Sequence, residues 1–94
     1  MKNSIYQVPI NGRIIDLHYL LSISDVFNDF GLNIELTYQL SEKPIRINIR
    51  RHFLSSEDTS KLNEDEDNKF YKEKFETLIR SKIIEAWTDY RNNL

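Results

Sequence analysis

Two runs of alternating apolar and polar residues constrain the fold of this chain more than any other feature. Apolar side chains occupy every second position over 34–40 and again over 45–49. Because successive side chains of a strand point to opposite faces of its sheet, this period predicts a β-hairpin with one apolar face. If residues 41–44 form the loop, Leu40 pairs with Ile45 and the other apolar residues of the first strand also face isoleucines.

The polar face of this predicted hairpin carries the arginines of its second strand. The same register pairs Gln39 with Arg46 and Glu35 with Arg50, which predicts solvated side chains with polar or acidic partners. An alternative function, nucleic-acid binding by this strand, would use Arg46, Arg50, Arg51 and His52. The chain has no basic block elsewhere and its formal charge is −2, so we rank nucleic-acid binding below protein binding.

A further hairpin is predicted near the start of the chain. Asn11 and Gly12 lie between alternating apolar residues, and this pair readily adopts the positive φ angles of a two-residue turn. With that turn, Tyr6 lies opposite Leu17, and the apolar side chains of both strands share one face.

Residues 19–30 fit two different structures. Alternation over 20–27 favours a strand, whereas a serine cap at Ser22 or Ser24 and a stop at Gly31 fit a short helix. Periodicity alone does not separate the two for so short an apolar run. We favour the strand.

The last third of the chain predicts a helix over 67–92. Neither Gly nor Pro occurs there, and the polar residues from Asn63 to Glu66 fit a capping pair with acidic side chains at the positive end of the helix dipole. One apolar stripe follows at helical spacing and is suited to cover a sheet. The stripe consists of Tyr71, Phe75, Leu78, Ile79, Ile83, Ala86 and Tyr90.

These elements together predict an α+β fold, an antiparallel β-meander of four or five strands with one long C-terminal α-helix packed on one face. At 94 residues the chain is long enough for one modest core, so we expect 1–94 to form a single domain. Residues 1–54 would form mainly β-hairpins, 55–66 an acidic linker and helix cap, and 67–92 the helix.

A second face of the predicted helix carries the candidate protein interface. At about 100° per residue, four side chains fall in a sector of about 60° away from the apolar stripe. They are Arg80, Ile84, Trp87 and Arg91. A large aromatic side chain beside arginines is typical of interface hot spots, and the alternative is that Ile84 and Trp87 are boundary residues covered by the sheet. A homodimer through this face would be the simplest interface, because twofold symmetry needs only one self-complementary surface.

Composition excludes several chemistries. The chain has no cysteine, which removes disulfides, thiolate metal sites and a cysteine nucleophile, and its two glycines fit no phosphate-binding loop. His18 and His52 match no metal-binding spacing, so we expect no catalytic, cofactor or metal site. A small enzyme that uses His18 or His52 is the remaining alternative. No apolar run has the length of a signal peptide or a membrane span, so we expect a cytoplasmic protein without a membrane partner.

The acidic side chains are concentrated in one segment. Residues 55–69 contain six acidic and two basic side chains. We expect four of the acidic residues to meet a basic surface on a protein partner, namely Glu57, Asp58, Glu64 and Asp65. The sequence therefore predicts a noncatalytic protein-binding domain, and within that class a small inhibitor or an immunity-type protein.

Overall fold

The computed structural model describes residues 4–39, 41–49, 54 and 64–93, with only the backbone described for 64–67. Six strands and one long helix occur within these residues. The strands are β1 (Ile5–Gln7), β2 (Ile14–Asp16), β3 (Leu20–Ile23), β4 (Phe27–Asn28), β5 (Leu32–Tyr38) and β6 (Ile45–Ile49). They form two antiparallel sheets, and the predicted α+β class is confirmed.

The larger sheet is built around β5. Both β3 and β4 pair along one edge of β5, and β6 pairs along the other edge. The break between β3 and β4 is bridged by Ser24, whose backbone N–H donates to the Glu35 carbonyl at 2.9 Å and whose Oγ accepts from the Glu35 N–H at 2.8 Å. Since β3 and β4 are two halves of one edge strand, the predicted count of four or five strands holds. Residues 20–23 and 27–28 form strands, which confirms the strand interpretation of this region.

The predicted register of the β5–β6 hairpin is wrong by four residues. Arg46 lies opposite Glu35, and Ile45 lies opposite Leu36. An even shift leaves every side chain on its predicted face, so the alternation pattern carries no information that separates the two registers. Within the described residues, β6 pairs with β5 only as far as Leu36, and the last two residues of β5 pair with β3 on the opposite edge.

The predicted register of the first hairpin is wrong by two residues. Tyr6 lies opposite Ile15, and the loop over 9–12 is closed by a 2.8 Å hydrogen bond from the Val8 N–H to the Arg13 carbonyl. Gly12 has a φ of 71°, but Asn11 does not share this conformation, so a two-residue turn does not form. Pro9 at the start of the loop favours a loop that leaves the strand early, because its backbone nitrogen donates no hydrogen bond.

The C-terminal helix contains a π-helical turn. It comprises α1 (Glu64–Phe75), the π turn (Glu76–Arg80) and α2 (Ser81–Asn92), and the Ser81 N–H donates to the Glu76 carbonyl five residues earlier. Eight residues of an α-helix overshoot two turns by about 80°. The wider π turn removes this overshoot, so Phe75 and Ile83 both face the core and are 0% exposed.

The π turn also corrects one predicted core residue. Leu78, which a regular helix would place in the apolar stripe, lies within the π turn and is 43% exposed. Its neighbour Ile79 is 1% exposed. A wheel drawn at constant rotation therefore fails at this turn, although it identifies the other core positions of the helix.

The core lies between the helix, the larger sheet and the β1–β2 hairpin. Its main buried side chains are Val8, Ile15, Leu17, Leu32, Ile34, Leu36, Ile47, Ile49, Tyr71, Phe75, Ile79, Ile83 and Tyr90. Burial raises the pKa of the Tyr6 hydroxyl above its usual range, while the charge of Lys82 lowers it and that of Glu85 raises it, which places the hairpin beside α2. No helix in the described part of the chain is both long enough and apolar enough to span a membrane.

Candidate protein-interaction surfaces

A cavity of about 190 Å³ lies where β3 begins and the helix ends, and we call it the Trp87 cavity. Its lining comes from the two residues that follow β2, from β3, from the residue that follows β5 and from α2. The lining residues are Leu17, His18, Leu20, Leu21, Gln39, Trp87, Tyr90 and Arg91. The cavity brings two of the four predicted interface residues, Trp87 and Arg91, into one concave surface.

Trp87 and Arg91 contact one another directly. They are four residues apart in α2, which places them on the same side of the helix. The guanidinium carbon of Arg91 lies 5.5 Å from the centroid of the Trp87 ring, a cation–π geometry. Trp87 is partly buried against the core, whereas Arg91 is exposed. The ring therefore contributes to both the core and the surface.

Apolar side chains form an exposed rim beside this cavity. Leu21 is 50% exposed and Tyr19 is 39% exposed. The Tyr19 ring meets the His18 ring edge to face, with 4.7 Å between centroids. These side chains add an apolar surface next to Trp87 that the fold itself leaves open to solvent.

His18 has a structural role in this arrangement. Its Nδ1 and the hydroxyl of Tyr90 are hydrogen bonded at 2.7 Å, which ties the hairpin to the end of α2. The Asp16 carboxylate accepts from the backbone N–H of His18 rather than from its ring. Ser24 Oγ is already bonded to the Asp25 carbonyl and the Glu35 N–H. Among the described residues, His18, Asp16 and Ser24 therefore form no Ser–His–Asp group.

Arg80 lies apart from the other predicted interface residues. Its Nε donates to the Ser24 carbonyl at 2.8 Å, and its two terminal nitrogens lie 2.8 Å from Glu76 and 3.5 Å from Asp25. Its side chain is 19% exposed. Arg80 thus links the helix to the break between β3 and β4. Ile84 is partly buried and lines a neighbouring shallow surface of α2, not the Trp87 cavity.

A second exposed feature lies at the opposite end of β5, and we call it the Phe30 turn. Residues Asp29, Phe30 and Gly31 connect β4 to β5. Phe30 is fully exposed and has a φ of 53°, in the left-handed region that bulky residues rarely adopt. No periodicity in the sequence signals an exposed aromatic side chain at this position.

Two asparagines hold the Phe30 turn from below. Asn33 is 1% exposed, and its Nδ2 donates to the carbonyls of Asp29 and Gly31, each at 2.9 Å. Asn48 Nδ2 donates to Asn33 Oδ1 at 2.9 Å. Gly31 has a φ of 120°, and a Cβ there would lie 3.0 Å from Asn48 Nδ2. Backbone and side chains thus fix the turn in one conformation.

Arg46 supports the same turn. Its guanidinium lies 2.7 Å from the Asp29 carboxylate and 3.3 Å from that of Glu35, and it stacks 5.1 Å from the Phe27 ring centroid. The hydrogen bond to Asp29 is the main reason that the pKa of Arg46 lies above its usual value. Arg46 is solvent-facing as predicted. Its partners are the carboxylates of Asp29 and Glu35, whereas the predicted partner was the side chain of Gln39.

The side chains of the other predicted site residues are not among those that the structure describes. Arg50, Arg51, His52, Glu57 and Asp58 lie outside the described residues. Glu64 and Asp65 lie in the first turn of α1, and only their backbone is described. The nucleic-acid alternative retains one described residue, Arg46, whose charge is already engaged by two carboxylates.

The described residues contain no cluster of three or more His, Asp or Glu side chains able to hold a metal ion. Comparison of the chain with protein-family models, with curated proteins and with solved structures found no match.

Proposed function

We propose that this chain is a noncatalytic protein-binding domain and that the Trp87 cavity and its apolar rim contact the target protein. The observation that carries the proposal is the exposure of Tyr19 and Leu21 beside a concave surface that contains Trp87 and Arg91. Aromatic and arginine side chains around a small pocket are the usual composition of interface hot spots.

The chemistry of this surface indicates the feature that it binds. The cavity accepts an apolar side chain of the target, because its walls include Leu20, Leu21 and Trp87. Arg91 is exposed at its edge and can pair with a carboxylate next to that side chain. We therefore propose a target segment that presents an apolar residue flanked by an acidic one.

A finer form of the proposal concerns the acidic segment over 55–69. As a small inhibitor or immunity-type protein in the cytoplasm, the chain would use Glu57, Asp58, Glu64 and Asp65 against a basic surface of the same target. Support for this form comes from the sequence charge alone, six acidic against two basic residues. The Trp87 cavity and the acidic segment would then contact different parts of one partner.

The test uses three variants as bait in cell lysate, with bound proteins quantified by mass spectrometry. Leu21→Ser and Arg91→Ala remove exposed side chains from the rim, so they should reduce capture of the target with little effect on folding. The expected loss of affinity for Trp87→Ala is about 30-fold or more, equivalent to about 2 kcal/mol. Purified target and chain then give the affinity by titration calorimetry.

The matched control is Leu78→Ser. Leu78 is a similarly exposed apolar residue, at 43%, but it lies in the π turn away from the cavity. Capture of the target should be unchanged in this variant. A protein captured equally by the wild type, Leu21→Ser and Arg91→Ala would show that the cavity is not the binding surface.

A further inference from the structure

Phe30 contributes nothing visible to the packing of this fold. Its side chain is fully exposed, and its φ of 53° is a conformation that Gly or Asn adopts more easily. The positive φ costs free energy, and no packing of the ring within the described residues offsets this cost. A strained and exposed aromatic residue of this kind indicates a contact outside the chain.

The Phe30 turn presents this side chain rigidly. The buried amide of Asn33 holds the carbonyls on both sides of Phe30, and Arg46 holds Asp29. A side chain held in place before binding loses less conformational freedom when it enters a pocket. The turn is therefore suited to insert Phe30 into a cavity of a partner.

A groove of suitable size lies next to the turn on the same chain, between the sheet edge and the helix. This α1–β4 groove has a volume of about 370 Å³, which is larger than a benzyl side chain. Val26, Phe27 and Leu32 provide its apolar surface, and Lys69 and Lys72 lie at its helix side. The described residues contain no ion pair of either lysine.

Charge on the turn complements charge on the groove. Asp29 precedes Phe30, and its side chain remains 45% exposed although it pairs with Arg46. Arg46 holds Asp29 Oδ2, so the exposed remainder of this carboxylate is the part that would face the two ammonium groups beside the apolar groove. Because the turn and the groove lie side by side, two copies related by a twofold axis would each supply one insertion to the other.

We infer that a second copy of this chain docks here, with Phe30 of each copy in the α1–β4 groove of the other and Asp29 beside Lys69 and Lys72. This contact is independent of the Trp87 cavity, so the dimer would leave the proposed target surface free. It differs from a dimer through Arg80, Ile84, Trp87 and Arg91, which the sequence indicated as the simplest interface.

The test measures self-association of the full chain by sedimentation equilibrium. The wild type should form dimers, and Phe30→Asn should raise the dimer dissociation constant by about tenfold or more. Asn suits the left-handed conformation, so this variant removes the ring without disturbing the turn. Lys72→Glu should weaken the dimer as well, whereas the control Leu78→Ser should not.

A mixing experiment tests the reciprocal geometry. Phe30→Asn keeps an intact groove and Lys72→Glu keeps an intact Phe30, so a mixture restores one of the two insertions. The ring and Lys72 act in the same insertion, so losing both should cost little more than losing one. On that basis the mixture, with one intact insertion, should associate more tightly than either variant alone. A wild type that stays monomeric at millimolar concentration overturns the inference, and so does a wild-type dimer whose dissociation constant is unchanged by Phe30→Asn. A monomer that binds anionic vesicles through Phe30 would also overturn it in favour of a membrane contact.

Discussion

The surfaces at the two ends of β5 present an aromatic side chain by opposite means. At the Phe30 turn, buried polar side chains fix the backbone, and Phe30 itself packs against nothing. At the Trp87 cavity, the ring of Trp87 lines the open cavity and also packs against the core. Replacing Phe30 should therefore leave the core intact, whereas replacing Trp87 should remove contacts from both the surface and the core.

Distance keeps the two surfaces independent. Seven residues of β5 span about 23 Å at about 3.3 Å per residue. Substitutions this far apart without shared partners usually have additive effects on stability. The change in stability caused by a substitution at one surface should thus be the same whether or not the other surface is altered.

The largest expected effect separates Trp87 from the interior of the core. Phe75→Ala should lower the free energy of unfolding by about 3 to 5 kcal/mol, because it leaves a cavity at a fully buried position. Trp87→Ala should cost about 1 to 2 kcal/mol, because its ring is only partly buried. Urea denaturation monitored by circular dichroism measures both. Equal losses would show that Trp87 belongs to the core and is not available to a partner.

A smaller effect is expected where polar side chains hold the Phe30 turn. Asn33→Ala should cost about 2 kcal/mol, because a buried side chain loses three partly buried hydrogen bonds, two to backbone carbonyls and one from the amide of Asn48. The control is Thr37→Ala, an exposed position on the same face of β5, which should cost less than about 1 kcal/mol. Comparable losses in the two variants would mean that Asn33 does not hold the turn.

The smallest effect should have the opposite sign. Phe30→Asn should raise the free energy of unfolding by about 0.5 to 1 kcal/mol, because Asn tolerates a positive φ better than Phe does. The measurement is the urea midpoint at a concentration where the chain is monomeric. A loss of stability would indicate that the Phe30 ring packs within its own chain, and the contrast between the two ends of β5 would then disappear.

Periodicity in the sequence was sufficient to predict the faces of β5 and β6 and most of the helix. It did not predict the face of β3, where Leu20 is buried and Leu21 is 50% exposed. Ile34, Leu36 and Ile47 point into the core as their alternation indicates, and Phe75 and Ile83 do so from the helix. The burial of apolar side chains determines which face of each element points inward, and the spacing of apolar residues in the sequence shows that face. The α+β class follows from the same information.

The registers and the sites needed information that periodicity does not contain. Arg46 pairs with Glu35 and Asp29 because β6 pairs with β5 four residues away from the predicted register, and alternation does not distinguish these two registers. Arg80 does not lie with the other predicted interface residues, because its guanidinium donates to the Ser24 carbonyl at the break between β3 and β4. The role of Asn33 was also missed, since a buried asparagine and an exposed one look the same in a sequence.

The π turn has a consequence for insertions and deletions. Seven residues of a regular α-helix complete two turns to within about 20°. A chain that lacks one residue between Glu76 and Arg80 could therefore form an uninterrupted α-helix in which Phe75 and Ile83 keep their directions. Loss of one residue from α2, by contrast, would rotate every later side chain by about 100° and turn Tyr90 away from the core. Within this helix, the π turn is thus the place where chain length can change by one residue while both halves stay in register with the sheet.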